Sequence, residues 1–361
     1  NIQRSEVENP VYDMTFEDKH TDAAAAQQAA DTILEALEQA KRPVIMLGHG
    51  VDSSFSQQKL IRFAQKRQIP IITSVLAKSV LGYDHPLNFG CIGGAYGHRY
   101  ANMIANAKSD LLLCFGISLC TRQIGTKVHE FARGAKIIRI DIDPYNLQRD
   151  IHENGINEVK LQAETGAVID CLAKAAAPDT EGISDWLNVC TEIKENLQAV
   201  DDATPERYPN RMIADLSDML EDTSAIAVDV GQHMVWSYQS FKNHEGQKLL
   251  FSGGHGAMGY GLPAAIGAYY ATGKPTACIC GDGALQMNIQ ELQTIIHHRM
   301  PIKIFLINNG GYHSIRQTQK NYFGEPLVGI GVDSGDLSFP DMEKLAWAYG
   351  YPYLRAEHNS Q

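Results

Sequence analysis

The chain has 361 residues, of which 44% are hydrophobic and 20% charged, a composition typical of a globular protein with two or three domains. Its net charge of −11 argues against a nucleic-acid partner, which needs a basic stripe. No apolar run reaches the roughly 18 residues of a membrane span, so we expect no membrane partner. The seven cysteines form no C-x-x-C pair, which argues against a disulfide framework and predicts a reducing, cytoplasmic location.

The first half of the chain alternates helices with apolar runs. After a polar leading segment at 1–23, the periodicity predicts helices at 24–40 and 55–68. Apolar runs of strand length lie at 42–50, 70–75, 110–116 and 135–144. Because these runs are apolar on both faces, they predict a parallel sheet covered by helices on each side.

The second half repeats this style after a polar stretch. Residues 176–210 contain Pro178 and Pro205, which predicts a domain boundary in this region. Further strands are predicted at 224–231, 248–252, 276–280 and 301–307. The expected fold class is therefore α/β, with two doubly wound, mostly parallel-sheet domains at 1–178 and 179–361. Such domains bind ligands beyond the carboxyl ends of their strands.

Two neighbouring predicted strands end in polar motifs. Residues 281–283 read Gly-Asp-Gly, and residues 308–311 read Asn-Asn-Gly-Gly. In a βαβ unit the two strands are parallel and adjacent, so Asp282 and Asn309 are expected at one sheet edge. Their oxygen atoms are hard ligands suited to Mg²⁺. The glycines let the backbone approach an anion, and the helix expected to begin near Met287 directs its amide end there.

This arrangement resembles the cofactor site of thiamine diphosphate enzymes, and the similarity extends to the acetolactate synthase family. Residues 252–267, Ser-Gly-Gly-His-Gly-Ala-Met-Gly-Tyr-Gly-Leu-Pro-Ala-Ala-Ile-Gly, resemble that family's glycine-rich segment. Residues 230–233, Val-Gly-Gln-His, resemble its diphosphate motif, and residues 286–292 also match. The resemblance covers essentially the whole chain and is most specific beyond residue 225.

The resemblance implies a role for each matched position. Mg²⁺ is expected on the side chains of Asp282 and Asn309 and on the carbonyl of Gly311. Met258 is expected to support the bent, V-shaped cofactor, with a plain core methionine as the alternative. For His233 the alternative is a capping or surface histidine. The complete set implied to contact the cofactor is Val230, Gly231, Gln232, His233, Gly256, Met258, Asp282, Gly283, Ala284, Asn309, Gly311, Tyr312 and His313.

The loop after the metal motif departs from the family. Acetolactate synthases continue with acidic residues and Gln-Gly-Met, whereas this chain carries Tyr312, His313 and Arg316. Either these residues set a different donor or acceptor specificity, or they belong to a solvated loop.

The first half of the chain resembles the family's central domain, which binds FAD in many members. The positions that this resemblance implies for FAD are Gly97, His98, Gly116, Arg122 and Asp143. The family's Asp-Asp pair is replaced by Cys120-Thr121. Two alternatives stay open, FAD binding and a structural sheet with an empty or ADP-filled crevice.

The function that the resemblance implies is a thiamine diphosphate- and Mg²⁺-dependent carboligase. Such an enzyme decarboxylates a 2-oxo acid such as pyruvate and adds the resulting enamine to a carbonyl acceptor. In the family, a glutamate of an N-terminal pyrimidine-binding domain activates the cofactor, and we find no candidate for it in this chain. Because the chain begins without methionine and stops short of the family's usual end, we expect a fragment, inactive alone, of a homodimer or homotetramer.

Three other interpretations stay open at this stage. A simple 2-oxo acid decarboxylase would release an aldehyde instead of joining two molecules. A non-catalytic flavin- or nucleotide-binding module would bind a cofactor without Mg²⁺. A nicotinamide dehydrogenase would use residues 254–259, which read G-x-G-x-x-G, as its phosphate turn.

Overall fold

Two parallel β-sheets organise the protein, seen here in a computed structural model that describes residues 22–51, 53–176 and 184–358. The first sheet has the order β3-β2-β1-β4-β5-β6, the strand order of dinucleotide-binding folds. Its strands are β1 (Pro43–Leu47), β2 (Ile71–Thr73), β3 (Asn88–Cys91), β4 (Leu111–Phe115), β5 (Lys136–Asp141) and β6 (Glu158–Gln162).

The second sheet has four parallel strands in the order β10-β9-β7-β8. Its strands are β7 (Ala225–Val228), β8 (Lys248–Phe251), β9 (Thr276–Gly281) and β10 (Ile302–Ile307). Every strand predicted from an apolar run is present, and the predicted fold class is confirmed. The sequence pattern missed β3 and β6, since β3 contains asparagine and glycine and β6 is a half-buried edge strand.

Helices cover both faces of each sheet. In the described residues they are α1 (Ala23–Gln39), α2 (Ser54–Arg67), α3 (Arg99–Met103), α4 (Thr121–Ile124), α5 (Pro144–Gln148), α6 (Thr165–Leu172), α7 (Ser184–Asn196), α8 (Pro209–Asp218), α9 (Gln232–Ser240), α10 (Gly261–Thr272), α11 (Asp282–Gln286), α12 (Glu291–His297), α13 (His313–Tyr322) and α14 (Met342–Tyr349). Alternate residues of β1 enter opposite cores, with Ile45 packed under α1, α2 and α6 and Val44 packed under α3 and α7.

The helix expected to begin near Met287 is present as α12, which begins four residues later, at Glu291. The sequence pattern missed a separate short helix, α11, which starts at Asp282 directly behind β9. The buried residues Asp282 and Gly283 of the Gly-Asp-Gly motif form its first turn.

Helix α7 packs on the first sheet. The indole Nε1 of Trp186 donates a hydrogen bond to the carbonyl oxygen of Pro43 at 3.0 Å, and the Nζ of Lys194 donates to the carbonyl of Asn88 at 2.9 Å. The boundary predicted between residues 178 and 179 lies outside the described residues, as does most of the leading segment at 1–23. Both stay predictions.

Contacts between the two sheets bring their carboxyl edges to a common space. The amide Nδ2 of Asn243 donates to the carbonyl of Leu81 at 2.8 Å, and the Nη1 of Arg122 donates to the carbonyl of Gly253 at 3.3 Å. Cys91, at the end of β3, packs in the core of the second sheet. The position of the candidate site between the domains follows from these contacts.

All seven cysteines are free, so the expectation that the chain has no disulfide framework is confirmed. Five of them are buried, among them Cys278 and Cys280 of β9. In the part of the chain that the structure describes, no helix combines the length and the apolar character needed to cross a bilayer.

Candidate functional site

A cavity of about 480 Å³ lies between the carboxyl edges of the two sheets. All of the positions predicted to contact the cofactor, from Val230 to His313, line this cavity. The first domain contributes the facing wall, which the sequence pattern did not single out except for Arg122. That wall includes Leu76, Ile92, Tyr96, Cys120, Arg122 and Gln123.

The pairing of β9 with β10 brings the two metal-site candidates together. Ile307 pairs with Gly281 at the strand ends, so Asp282 and Asn309 follow at the same edge. The Asp282 side chain is 1% exposed, and its carboxylate accepts hydrogen bonds from the backbone amides of Gly283 at 2.8 Å and Gly311 at 3.0 Å. Burial raises the pKa of Asp282, and these backbone donors oppose the shift.

The oxygen donors at this edge fit a divalent cation. The side-chain Oδ1 of Asn309 is buried and has no hydrogen-bond partner, which is unusual for a buried polar atom. The carbonyl of Gly311 accepts the amide of His313 at 3.1 Å and keeps a second lone pair. An anionic carboxylate, an unsatisfied amide oxygen and a free carbonyl lone pair are the ligand types that Mg²⁺ prefers.

Glycines form a close backbone cradle around this edge. A Cβ atom at Gly283 would lie 2.2 Å from the ring of Tyr312. At Gly311 the φ angle is +147°, and a Cβ atom would lie 2.1 Å from the carbonyl oxygen of Ile330. The ring of Tyr312 also packs edge-on against Phe339. Side chains at these two positions would collide with neighbouring protein atoms, so the close packing at this edge requires glycine.

The imidazole of His233 is enclosed at the ends of β7 and β9. The residue is 2% exposed, and Cβ atoms at Gly231 and Gly281 would lie 2.6 and 3.1 Å from its ring. Its Nε2 atom has no partner, and burial lowers its pKa to about 4. The alternative of a surface histidine is therefore excluded. The neighbouring Gln232 accepts a hydrogen bond from the hydroxyl of Ser314 at 3.2 Å.

The glycine-rich segment carries Met258 into the cavity. Met258 is 37% exposed, so the alternative of a plain core methionine does not hold. Gly256 has a φ angle of +73°, and its amide donates to the carbonyl of Ser252 at 2.9 Å. Sequence reasoning missed Asp229, whose buried carboxylate accepts the amides of Gly259 and Gly261 at 2.9 and 2.8 Å. Its position directly after β7 was the signal that could have found it.

The residues predicted for FAD are not brought together in this cavity. Of the five, only Arg122 lines the cavity, where it contacts Gly253 of the second domain. His98 is 4% exposed and accepts the amide of Cys91 at 3.0 Å, and Asp143 caps α5 through the amide of Tyr145. A Cβ atom at Gly97 or Gly116 would lie within 2.4 or 2.6 Å of backbone atoms of Gly93 or Gly50, respectively. This cavity therefore gives no support to the FAD prediction.

The segment expected as a possible solvated loop is helical, since α13 begins at His313, and it is divided between the cavity and the surface. Tyr312 and His313 line the cavity, and burial is the main cause that lowers the pKa of His313. Arg316 lies outside the lining and forms an ion pair with Asp333 at 3.1 Å. Only Tyr312 and the first turn of α13 therefore line the cavity where a ligand would bind.

Comparison with known proteins identifies this architecture. The model of the thiamine pyrophosphate enzyme central domain matches residues 30–172, and the model of the C-terminal TPP-binding domain matches residues 229–361. The chain contains the central and C-terminal domains of the thiamine pyrophosphate enzymes. Thiamine pyrophosphate is the cofactor also called thiamine diphosphate, and the predicted family is thereby confirmed.

Curated relatives of this thiamine pyrophosphate enzyme chain are named acetolactate synthases. A probable acetolactate synthase large subunit from Methanococcus aeolicus is 32% identical over 339 residues, 90% of this chain and 55% of the relative. The large subunit from Cyanidium caldarium is 33% identical over 326 residues, 88% of this chain and 54% of the relative. Acetolactate synthase 1 of Nicotiana tabacum is 33% identical over 343 residues, which are 91% of this chain and 49% of the relative. The chain thus spans about half the length of these relatives.

Replacing Gly283 by alanine should distort the site, because the new methyl group would meet the Tyr312 ring at 2.2 Å. We expect a destabilisation of about 1–3 kcal/mol, typical of overpacking, measured by urea unfolding. Gly267→Ala is the matched control, since a Cβ atom there has nothing within 4 Å and the residue is on an exposed position of α10. A Gly283→Ala protein as stable as Gly267→Ala would contradict the close contact.

The buried imidazole of His233 predicts a pH dependence of stability. Its pKa is about 4 in the folded protein against a usual value of 6.5, so the unfolded chain binds the proton more tightly. Stability is therefore lost as the pH falls from about 7 towards 4, and this histidine accounts for about 2 kcal/mol between pH 7 and pH 5.

His233→Gln should remove that share of the loss, measured as free energies of unfolding at both pH values. The exposed His129, replaced in the same way, serves as the control. An unchanged pH profile in the His233→Gln protein would contradict the neutral, buried state of the ring.

Proposed function

We propose that the chain is part of a thiamine diphosphate- and Mg²⁺-dependent 2-oxo acid decarboxylating carboligase that resembles acetolactate synthase. The observation that carries this proposal is the pair at the ends of β9 and β10, a buried Asp282 carboxylate beside an Asn309 oxygen without a partner. Together with the glycine cradle, this pair suits a metal-bound diphosphate. The relatives named acetolactate synthase support the reaction class.

Different residues of the second domain would bind different parts of the cofactor. Asp282, Asn309 and the carbonyl of Gly311 would ligate Mg²⁺, and the cradle around Gly283 would receive the diphosphate. Anions are stabilised by converging backbone N–H groups, so this acidic chain needs no lysine at the site. Gly256 and Met258 would support the aminopyrimidine end. When bound, thiamine diphosphate supplies the carbon nucleophile that lets a 2-oxo acid lose carbon dioxide.

The wall from the first domain suits a small anionic substrate. Arg122 is the only lysine or arginine among the described residues that line the cavity, and its guanidinium would attract a carboxylate. Leu76 and Ile92 provide apolar surface nearby, which excludes water and favours loss of charge on decarboxylation. The substrate proposed is a 2-oxo acid such as pyruvate, with a carbonyl compound as acceptor.

The remaining expectations rest on the resemblance alone. A homodimer or homotetramer and a cytoplasmic location belong to this proposal. FAD binding is left out of it, because only Arg122 of the five residues predicted for FAD lines the cavity. We further propose that these 361 residues bind the cofactor without turnover, since no candidate for the family's activating glutamate lies among them.

Titration of thiamine diphosphate into the chain, followed by calorimetry, tests the cofactor site. Binding should require Mg²⁺ and should weaken at least tenfold in Asp282→Ala, because the variant removes the anionic metal ligand. Asp218→Ala is the control, since this carboxylate lies on the surface in an ion pair with Lys242. Binding that is equally tight without Mg²⁺, or unchanged in Asp282→Ala, would sink the proposed site and favour a flavin- or nucleotide-binding module.

Product analysis separates the reaction classes. The chain alone, with cofactor, Mg²⁺ and pyruvate, is expected to release no carbon dioxide, whereas the longer protein that includes the pyrimidine-binding domain should form a carbon–carbon bonded product. Release of acetaldehyde as the main product would favour the non-carboligating decarboxylase. Decarboxylation by the 361-residue chain itself would overturn its proposed inactivity.

A further inference from the structure

The segment that carries Met258 has no helical or strand structure of its own. Residues 252–260 form turns and irregular backbone between β8 and α10. A segment of this kind keeps a defined position only where its backbone groups are held by other parts of the protein. The anchors of this segment therefore decide where Met258 lies in the cavity.

The carboxylate of Asp229 holds the far end of the segment. One oxygen, Oδ1, accepts the amides of Val230 at 2.6 Å and Gly259 at 2.9 Å. The other oxygen, Oδ2, accepts the amide of Gly261 at 2.8 Å. Asp229 is 1% exposed, and such charge-assisted bonds in a buried place are strong. The carboxylate thus links the end of β7 to the start of α10.

A second side chain holds the same peptide from the opposite direction. The Nδ2 of Asn288, in the turn after α11, donates to the carbonyl of Gly259 at 2.7 Å. Gly259 has a φ angle of +84°, and a Cβ atom there would lie 2.7 Å from the Cβ of Met287. Both polar groups of Gly259 are therefore satisfied by side chains from elements that follow β7 and β9.

The near end of the segment has its own anchor. Ser252 accepts the amide of Gly256 at its carbonyl, at 2.9 Å, and the amide of Ala257 at its hydroxyl, at 3.2 Å. Met258 is the single residue between Ala257 and Gly259. The residues on both sides of Met258 are therefore held by side chains, Ala257 by Ser252 and Gly259 by Asp229. The side chain of Met258 lines the cavity.

We propose that Asp229 and Asn288 are positioning residues, which fix the position of Met258 in the cavity and thereby set the affinity for the bent cofactor. This inference rests on the proposed thiamine diphosphate site. Neither side chain lines the cavity, so both act through backbone groups. Asn288 acts through Gly259 alone, whereas Asp229 also holds the amide of Val230 in the predicted diphosphate motif, so Asn288 is the residue that separates the position of Met258 from the diphosphate end of the site.

Binding of two ligands distinguishes the positioning role of Asp229 and Asn288 from the diphosphate site itself. Thiamine diphosphate needs both ends of the cavity, whereas inorganic pyrophosphate with Mg²⁺ needs only the Asp282 end. Asp229→Asn keeps the size of the side chain but presents an amide hydrogen to the Gly261 amide. We expect it to weaken thiamine diphosphate about tenfold or more and to weaken pyrophosphate as well, because the amide of Val230 loses its place on the carboxylate. Asn288→Ala should weaken thiamine diphosphate while pyrophosphate binding stays within twofold, and Asp282→Asn should weaken both ligands.

The outcomes distinguish this inference from the function on which it rests. If the wild-type chain binds neither ligand, the proposed function and the positioning role are both overturned. If the wild type binds both, and Asn288→Ala weakens both ligands equally or neither, only the positioning role is overturned. Where Asp229→Asn does not fold, Asn288→Ala decides, because Asn288 is only partly buried.

Amide hydrogen exchange gives a readout that needs no cofactor. The amides of Gly259 and Gly261 should exchange at least tenfold faster in Asp229→Asn than in the wild type, while those of β9 stay protected. The surface variant Asp218→Asn serves as the control. If the two glycine amides were as protected in Asp229→Asn as in the wild type, the positioning role would be overturned even if cofactor binding had weakened.

Discussion

The parallel pairing of β9 with β10 is the constraint on which the site depends. Because Ile307 lies opposite Gly281, the residues that follow both strands emerge side by side at one edge. A shift of one residue in this register would move Asn309 away from Asp282 and turn alternate side chains to the opposite face. The same pairing supports the turn that places Gly311, whose amide bonds to Asp282.

Backbone groups, rather than charged side chains, dominate the site. The chain has a net charge of −11, yet its geometry suits a diphosphate, because amides and a metal ion can supply the positive potential. Glycine is required at Gly283 for a packing reason, because a side chain there would collide with Tyr312. Three residues of the cavity lining, His233, Asn309 and His313, each have one buried side-chain atom without a hydrogen-bond partner.

The first domain contributes more to this cavity than its own motifs indicated. Arg122 was expected to serve FAD, but its guanidinium reaches the carbonyl of Gly253, 131 residues away in sequence. Helix α7 lies on the same domain through Trp186. The two sheets therefore act as opposite walls of one site, and a flavin site separate from it receives no support from the residues predicted for it.

Much of the fold and of the metal-site pair followed from the sequence, because these features are local. Apolar runs of strand length and a motif at each strand end predict which residues reach the sheet edge, and both Asp282 and Asn309 were found in this way. Strand β6 was missed, since an edge strand buries too little to leave an apolar run. The roles of Asp229 and Asn288 needed the tertiary structure, because their partners lie 30 and 29 residues away. Periodicity and spacing determine secondary structure, whereas only packing decides which distant backbone groups a buried polar side chain will satisfy.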